Sequence, residues 1–253
     1  MSRISNTEGR TTIITPHYLR HPEGSVLIET GDTKVICTAS VENRVKDWLR
    51  GKGKGWVTAE YAMLPRANAT RNQREGQFGR WPSSRSQEIQ RLIGRCLRAS
   101  VWPARLGEIT ITVDCDVIQA DGGTRTAAVT GGWVALALAL DRLQRENRVK
   151  SHPMKRHIAA ISAGIRNGEC LLDLDYGEDS AADVDLNLAG DESGAIVEIQ
   201  GTGEGDLFSA DALNRMTTLA LTGIAARIAA QQEVLRSLDI APETLIQRPE
   251  TIR

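Results

Sequence analysis

The alternation of apolar and polar positions changes its period near the middle of the chain, and that change marks the most informative stretch. Residues 109–117 alternate apolar with polar side chains, which predicts a β-strand. A helix is predicted after them by apolar residues at helical spacing, namely Val129, Trp133, Ala137, Leu140 and Leu143. The stretch between them, QADGGTRT at 119–126, is therefore predicted to be a strand-to-helix turn.

Similar patterns recur in both halves of the chain, where hairpins of alternating strands precede a long helix. The predicted strands lie at 25–29, 33–40, 56–61, 158–165, 169–174, 184–188 and 195–200. The predicted helices lie at about 86–100, from the turn to about residue 145, and from a capping Ser209 onward. This order predicts an α/β (α+β) fold of two similar layers related by duplication.

The limits of the folded unit follow from where the apolar pattern stops. We expect one domain over residues 1–238, with halves at about 1–150 and 151–238. Residues 1–24 are polar and are expected to form a loosely held arm. Residues 239–253 contain two prolines and few apolar side chains, so we expect a disordered tail.

The turn at 119–126 carries the residue types of an anion site. Paired glycines allow unusual backbone conformations and close approach of a ligand to the amides. The free N–H groups and the positive dipole end of a helix start favour an anion. Thr124 and Thr126 add hydroxyls, and Arg125 adds a planar fork suited to phosphate. These features favour inorganic phosphate or a phosphoryl group at Gly123, Thr124, Arg125 and Thr126, although a simple turn with a threonine cap uses the same residues.

Composition narrows the class of protein. With 253 residues, 41% hydrophobic and 25% charged, the chain is typical of soluble globular proteins. It has no apolar run long enough for a bilayer and no secretory signal at residues 1–10. Four scattered cysteines lack metal-site spacing, so reduced, buried thiols and a cytoplasmic location are expected.

Charge is unevenly distributed although the formal net charge is only −1. Residues 44–105 hold fourteen Lys or Arg and four Asp or Glu, a footprint that suits a polyanion. Within this block, residues 66–85 combine arginines with Phe78 and Trp81. A basic loop with stacking rings is typical of a single-strand RNA contact, and a subunit-interface arm is the alternative. The candidate RNA-binding residues are Arg66, Arg71, Arg74, Arg80 and Arg85.

Carboxylates cluster at 178–185 in the second half. If 183–188 is a strand, Asp183 and Asp185 share one face, and Asp179 on the preceding turn can reach the same region. Clustered carboxylates repel each other unless a cation or proton relieves them, and Mg²⁺ is the obvious hard cation. A solvated acidic loop is the alternative. An anion turn, a basic loop and an acidic cluster together fit phosphoryl or nucleotidyl transfer.

Residues from about 17 to 232 resemble one known family, ribonuclease PH, the phosphorolytic 3′-to-5′ exoribonucleases. The telling segments are GWVTAEYAMLPR at 55–66, QADGGTRT at 119–126, EDSAA at 178–182, EIQGT at 198–202, and shorter ones at 23–26, 31–35, 70–72, 88–93 and 114–117. The chain departs from the family at residues 11–12, where Thr-Thr replaces Pro-Val, and at residues 83–84, where Ser-Ser replaces glycine.

The resemblance implies a fold like domain 2 of ribosomal protein S5 and a homo-oligomer, a hexamer arranged as a trimer of dimers. It implies that Gly123, Thr124, Arg125, Thr126 and Arg85 bind phosphate. Asp179 and Asp185 match the essential acidic pair, which would place Mg²⁺. The implied substrates are the 3′ ends of transfer RNA precursors, and the activity is tRNA nucleotidyltransferase, part of transfer and ribosomal RNA processing.

The expected mechanism uses inorganic phosphate as co-substrate. Phosphate attacks the last phosphodiester, Arg125 and Arg85 neutralise charge, and Asp185 protonates the departing 3′-oxygen. The products are a nucleoside 5′-diphosphate and a shorter RNA, and the reverse reaction adds nucleotides. The alternatives are a hydrolytic nuclease, a non-catalytic RNA-binding ring subunit and a small-molecule phosphotransferase.

Overall fold

The fold contains two β-sheets in which most neighbouring strands are antiparallel. In a computed structural model, residues 5–75, 82–204 and 207–246 are described. The first sheet has the order β1-β2-β3-β5-β4, and only β4 and β5 run parallel. Its strands are β1 Thr12–Pro16, β2 Gly24–Thr30, β3 Thr33–Glu42, β4 Trp56–Met63 and β5 Thr110–Gln119.

The second sheet is antiparallel throughout, with the order β7-β6-β8-β9. Its strands are β6 Ala159–Arg166, β7 Glu169–Leu172, β8 Val184–Gly190 and β9 Ile196–Gly203. A tight turn at Asn167 and Gly168, both with positive φ, joins β6 to β7. The hairpins predicted at 25–40, 158–174 and 184–200 are therefore confirmed.

The helices cover the two sheets. They are α1 Ser84–Ala99, α2 Pro103–Leu106, α3 Thr124–Arg145, α4 Tyr176–Asp179, α5 Ala210–Arg236 and α6 Pro242–Leu245, with a short 3-10 turn at Asp47–Leu49. Helix α1 packs on β4, and α5 packs on β6. Ser209 caps α5 as predicted, because its side chain accepts a hydrogen bond from the Ala212 N–H.

Helix α3 lies between the two sheets and is buried on all sides. It packs against β2 and β3 of the first sheet and against β6 of the second. Residues 126–140 of the helix are all buried. The sequence predicted one apolar face, whereas every face of the helix is buried over this range. A helix that is hydrophobic all round is typical of the centre of a layered core.

Close packing of α3 depends on glycine. A Cβ at Gly131 would lie 2.6 Å from Ile28 Cγ2 and 3.0 Å from Cys37 Sγ. A Cβ at Gly24 on β2 would overlap the Ala135 carbonyl oxygen. The helix therefore approaches β2 more closely than any larger side chain allows, which offsets the low helix propensity of glycine.

Both ends of the chain differ from expectation. The predicted loose arm contains β1, which pairs with β2 from Thr12 opposite Thr30 to Pro16 opposite Val26. The expectation of a disordered tail is wrong for residues 239–246, because Ile240 and Leu245 are buried in the main hydrophobic core. Residues 247–253 lie outside the described part. No described helix is long and apolar enough to span a membrane.

We expect Gly131→Ala to lower the free energy of unfolding by about 1–3 kcal/mol, because its Cβ forces Ile28 out of place. Gly132→Ala is the matched control on the same helix. Its Cβ would meet its nearest neighbour, Val113, at 3.3 Å, and alanine gains about 1 kcal/mol in helix propensity. Urea unfolding measures both, and equal effects at the two positions would contradict the packing argument.

Candidate active site

The predicted strand-to-helix turn is present between β5 and α3. Gly122 and Gly123 have φ values of 69° and 62°, in the left-handed region that favours glycine. No side chain caps the start of α3. The Ala127 N–H bonds the Gly123 carbonyl at 3.0 Å, so the amides of the preceding first turn have no helical partner. An uncapped helix start of this kind attracts an anion.

Contacts from both sides hold the turn in place. The Thr33 hydroxyl donates to the Gly122 carbonyl at 2.6 Å and accepts from the Asp121 N–H at 2.9 Å. On the other side, a Cβ at Gly122 would overlap the Leu174 carbonyl oxygen. The turn conformation is therefore fixed by first-half and second-half residues together.

The two threonine hydroxyls are already engaged. Thr126 Oγ1 donates to the Gly123 carbonyl at 2.9 Å, which stabilises the turn. Thr124 Oγ1 lies 2.8 Å from the Tyr61 hydroxyl. Burial raises the pKa of Tyr61, which keeps its phenol protonated. If Tyr61 donates to Thr124, the Thr124 proton is left for an acceptor in the cleft.

Arg125 joins the two halves of the chain. Its Nη1 donates to Gln200 Oε1 of β9 at 2.9 Å and lies 3.5 Å from Glu88 Oε1 of α1. Gln200 Nε2 in turn donates to the same Glu88 oxygen at 3.0 Å. These contacts hold Arg125 Nη1 between α1 and β9.

The predicted acidic pair is brought together beside this cation. Asp185 lies on β8, and its Oδ2 accepts from Asn187 Nδ2 at 3.0 Å while its buried Oδ1 has no hydrogen-bond partner. Burial, and then the negative charge of Asp179, raise the pKa of Asp185 to about 6, and Arg125 opposes this rise. Desolvation raises the pKa of Asp179 too, opposed by Arg85 and Arg125.

The side chain of Asp183 is engaged at the turn between β6 and β7. The residue precedes β8, is exposed, and its Oδ2 accepts from the Asn167 N–H at 2.9 Å. Glu204, just after β9, is the third carboxylate that raises the pKa of both Asp179 and Asp185. Glu204 cannot be assigned to the acidic cluster from the sequence, because only the pairing of β8 with β9 brings it near Asp179 and Asp185.

The basic loop borders the turn. The Ala120 N–H donates to the Ala67 carbonyl at 2.9 Å, and Ser86 Oγ donates to Glu75 Oε1 at 3.0 Å, so both ends of the described loop are anchored near the site. Arg66, Arg71 and Arg74 are exposed on it. Arg85, also exposed, lies in the first turn of α1, and its charge acts on Tyr61 and Asp179. Arg80, Phe78 and Trp81 lie outside the described residues.

Several cleft residues were missed because their role depends on distant contacts. The sequence predicts only that Tyr61 belongs to a strand. Its inward position near the carboxyl end of β4, which runs parallel to β5, is typical of a binding-site residue. Glu88 and Gln200 fall within the family-like segments at 88–93 and 198–202, but the sequence assigns a role to neither, and Asn187 lies outside those segments. They meet the site only because α1, β8 and β9 pack together.

A second ion pair strengthens this packing. Arg95 on α1 makes two hydrogen bonds to Glu198 on β9, at 2.8 Å and 2.5 Å. Bidentate arginine–carboxylate pairs fix orientation as well as distance. The wall of the cleft formed by α1 and β9 is therefore held at two successive points, Glu88 with Gln200 and Arg95 with Glu198.

Comparison with solved structures shows a shared fold. Rice (Oryza sativa) Rrp46 has a TM-score of 0.74 at 16% identity, covering 91% of this chain and 97% of that chain. An archaeal exosome core has 0.72 at 18%, covering 90% and 89%. The Archaeoglobus fulgidus exosome with RNA bound to the active site has 0.72 at 19%, covering 93% and 90%. The expected α/β fold like domain 2 of ribosomal protein S5 is thus confirmed.

Family models match both halves of the chain. The model of domain 1 of the 3′ exoribonuclease family, RNase_PH, matches residues 8–140. The model of domain 2 of the same family matches residues 157–223. Together they span the anion turn, the acidic pair and the basic loop, and the resemblance stated from the motifs is confirmed. The chain belongs to the 3′ exoribonuclease family of ribonuclease PH.

Proposed function

We propose that this protein is a phosphate-dependent 3′-to-5′ exoribonuclease that trims the 3′ ends of transfer RNA precursors. One observation carries the proposal: the uncapped helix start at Gly123 leads directly into Arg125, whose charge acts on Asp185. An anion nucleophile and a proton donor can therefore act on the same phosphodiester. The reverse reaction adds nucleotides from nucleoside diphosphates.

In the proposed reaction inorganic phosphate, and not water, is the nucleophile. An oxygen of inorganic phosphate forms a bond to the phosphorus of the terminal phosphodiester, and the bond from phosphorus to the 3′-oxygen of the preceding nucleotide breaks. A nucleoside 5′-diphosphate leaves. The remaining RNA, one nucleotide shorter, takes a proton at its new 3′-hydroxyl. Asp185 supplies this proton, since a pKa of about 6 leaves roughly a tenth of these carboxyl groups protonated at pH 7, far more than an ordinary aspartate would keep.

The chain's cations and amides bind and stabilise charge. The first-turn amides at Gly123, Thr124 and Thr126 and the Thr124 hydroxyl hold phosphate, while Arg125 binds its oxygens from the side. Arg85 approaches from α1 and neutralises charge on the scissile phosphate. Groups that are fixed before the reaction lower the barrier because they need no reorganisation when charge develops.

The acidic pair fits a magnesium ion. Mg²⁺ binds one or two carboxylates and keeps oxygens of water and phosphate, and the Asp185 Oδ1 that lacks a hydrogen-bond partner matches that need. Asp179 and Asp185 would hold the ion, and Asp185 would bind it only in its deprotonated form, so the protonated Asp185 that donates to the 3′-oxygen is not a metal ligand at that moment. When bound, the ion would neutralise phosphate charge and relieve the repulsion between the two carboxylates.

The exposed loop arginines would guide single-stranded RNA toward the cleft. Arg66, Arg71 and Arg74 supply charge to the RNA backbone, and Arg80 with Phe78 and Trp81 completes the proposed contact. We place the protein in the cytoplasm as a homo-oligomer, a hexamer built as a trimer of dimers.

A second candidate function is a non-catalytic RNA-binding ring subunit. The fold shared with Rrp46 and with exosome cores favours it, and one of those structures has RNA bound to the active site. Against it, this chain retains the Gly-Thr-Arg turn together with Asp179 and Asp185. Catalysis is therefore the stronger proposal.

We expect the protein to release nucleoside diphosphates from a 3′-extended transfer RNA only when inorganic phosphate is supplied. Asp185→Asn should lower the rate about 10²–10⁴-fold, because a general acid contributes a factor of that size. Asp183→Asn is the matched control, since Asp183 is exposed and bonds the Asn167 amide instead. Chromatography of the released nucleotides gives both results.

Two outcomes would decide against this function. Release of nucleoside monophosphates without phosphate would indicate a hydrolytic nuclease. RNA binding without any release, in the presence of phosphate and Mg²⁺, would support the non-catalytic ring subunit.

RNA binding should weaken steeply as salt rises, because phosphate contacts release counterions. In a variant with Gln at all three of Arg66, Arg71 and Arg74, the plot of log K against log salt should be less steep by about 2. Each contact to a single strand contributes about 0.7 to the steepness of that plot. The charge-matched control replaces Arg142, Arg145 and Arg148 at the far end of α3. Fluorescence titration from about 50 to 200 mM salt measures the slope, and equal loss in both variants would reject the loop as the RNA contact.

Asp185→Asn should also change stability in a pH-dependent way. The folded protein holds the Asp185 proton more tightly than the unfolded chain, so wild type loses stability as pH rises from about 4 through 6. The variant lacks this loss. Its unfolding free energy should equal that of wild type near pH 4 and exceed it by about 1–2 kcal/mol at pH 8, allowing for solvent screening. Urea titrations at both pH values test this, and no difference at pH 8 would contradict it.

A further inference from the structure

Three charged side chains from distant parts of the sequence meet behind the anion turn. Asp173 is 1% exposed and Arg227 is 5% exposed. Arg227 Nη2 lies 2.5 Å from Asp173 Oδ2, and Arg10 Nη2 lies 2.9 Å from Asp173 Oδ1. One buried carboxylate thus binds an arginine from the segment before β1 and another from α5.

Backbone groups complete this network. The Arg10 N–H donates to Asp173 Oδ2 at 2.8 Å, and Arg227 Nη1 donates to the Arg10 carbonyl at 3.2 Å. Both arginines keep the pKa of Asp173 below its usual value despite burial. Asp173 itself has a φ of 57°, an uncommon conformation for a residue with a side chain.

Stability alone is a weak reason for such a cluster. Burying a salt bridge costs desolvation that its attraction often only offsets, and an apolar replacement can be equally stable. A residue held in a sparsely populated backbone conformation, as Asp173 is, instead marks a place where one geometry has to be held. The geometry that this cluster holds is that of the Arg10 side chain.

Arg10 reaches from the cluster to the anion turn. Its Nη1 donates to the Asp121 carbonyl at 2.5 Å. Its Nη2 lies 2.9 Å from where a Cβ at residue 123 would sit, so the guanidinium packs against the Gly123 backbone. The Asp121 carboxylate lies between two partners, with Oδ2 4.0 Å from Arg10 Nη1 and Oδ1 accepting from the Tyr176 N–H at 3.2 Å.

We propose that Arg10 is a positioning residue that sets the conformation of the 121–123 turn, and that the buried Asp173–Arg227 pair fixes Arg10. The inference rests on the proposed function, because it gives Arg10 a role in phosphate affinity. Arg10 binds the turn from behind, and the first-turn amides that would hold phosphate face the cleft. Loss of Arg10 would let the two left-handed glycines relax, since glycine gains the most conformational freedom when released.

The test compares Arg10→Gln with wild type. We expect the KM for phosphate to rise on the order of tenfold, because the variant loses charge-assisted hydrogen bonds to the turn. The KM for RNA should change less than about twofold. Arg10→Lys should recover part of the loss, because lysine keeps the charge but not the planar fork. Arg145→Gln, an exposed arginine paired with Asp141 at the far end of α3, is the control and should change neither KM.

Hydrogen exchange gives a readout that does not depend on activity. Amides at residues 121–126 should exchange faster in Arg10→Gln than in wild type, while amides in the centre of α3 stay protected. Asp173→Asn should shift the same amides in the same direction. If wild type releases no nucleoside diphosphate, the proposed function fails, and the exchange result still decides the positioning role.

Three results would overturn the inference. One is unchanged phosphate KM together with unchanged exchange in Arg10→Gln. Another is an equal rise in the KM for phosphate and for RNA, which would indicate general loosening. The last is failure of both Arg10→Gln and the near-isosteric Arg10→Met to fold, which would make Arg10 a residue of overall stability.

Discussion

The start of α3 is a helix terminus without a side-chain cap, in a helix that is buried along most of its length. Free amides at such a place are costly unless something accepts their hydrogen bonds. The surrounding groups, Thr33 and Tyr61 among them, bind the carbonyl and hydroxyl groups of the turn and leave the first amides to the cleft. These amides form the proposed phosphate site, together with the side chain of Arg125 in the same turn of the helix.

The cleft is a composite of the two halves. Arg125 comes from the first half and is oriented by Gln200 from the second, and Asp185 of the second half lies in the field of Arg125. Asp185 keeps its proton to about pH 6 because burial and Asp179 outweigh the arginine. A cation and a partly protonated acid can thus coexist within one site.

The two sheets with their helices form two layers that differ in burial and charge. Helix α3 is apolar all round because sheets cover it on both sides, whereas α5 keeps an exposed face and contributes one buried cation, Arg227. The segment before β1 is tied to the second half through Asp173. Both ends of the described chain therefore connect the two halves. The first end does so through Asp173, and residues 239–246 do so by packing on the main hydrophobic core.

The sequence by itself determined the local features: the hairpins, the helix caps, the glycine turn and the cluster of acids. These depend on side-chain periodicity and turn chemistry over a few residues, which a linear sequence displays. It did not reveal β1, the burial of Ile240, or the partnership of Arg125 with Glu88 and Gln200. Those contacts join residues far apart in the chain, and their energies depend on which surfaces pack together. Only the tertiary structure decides that packing.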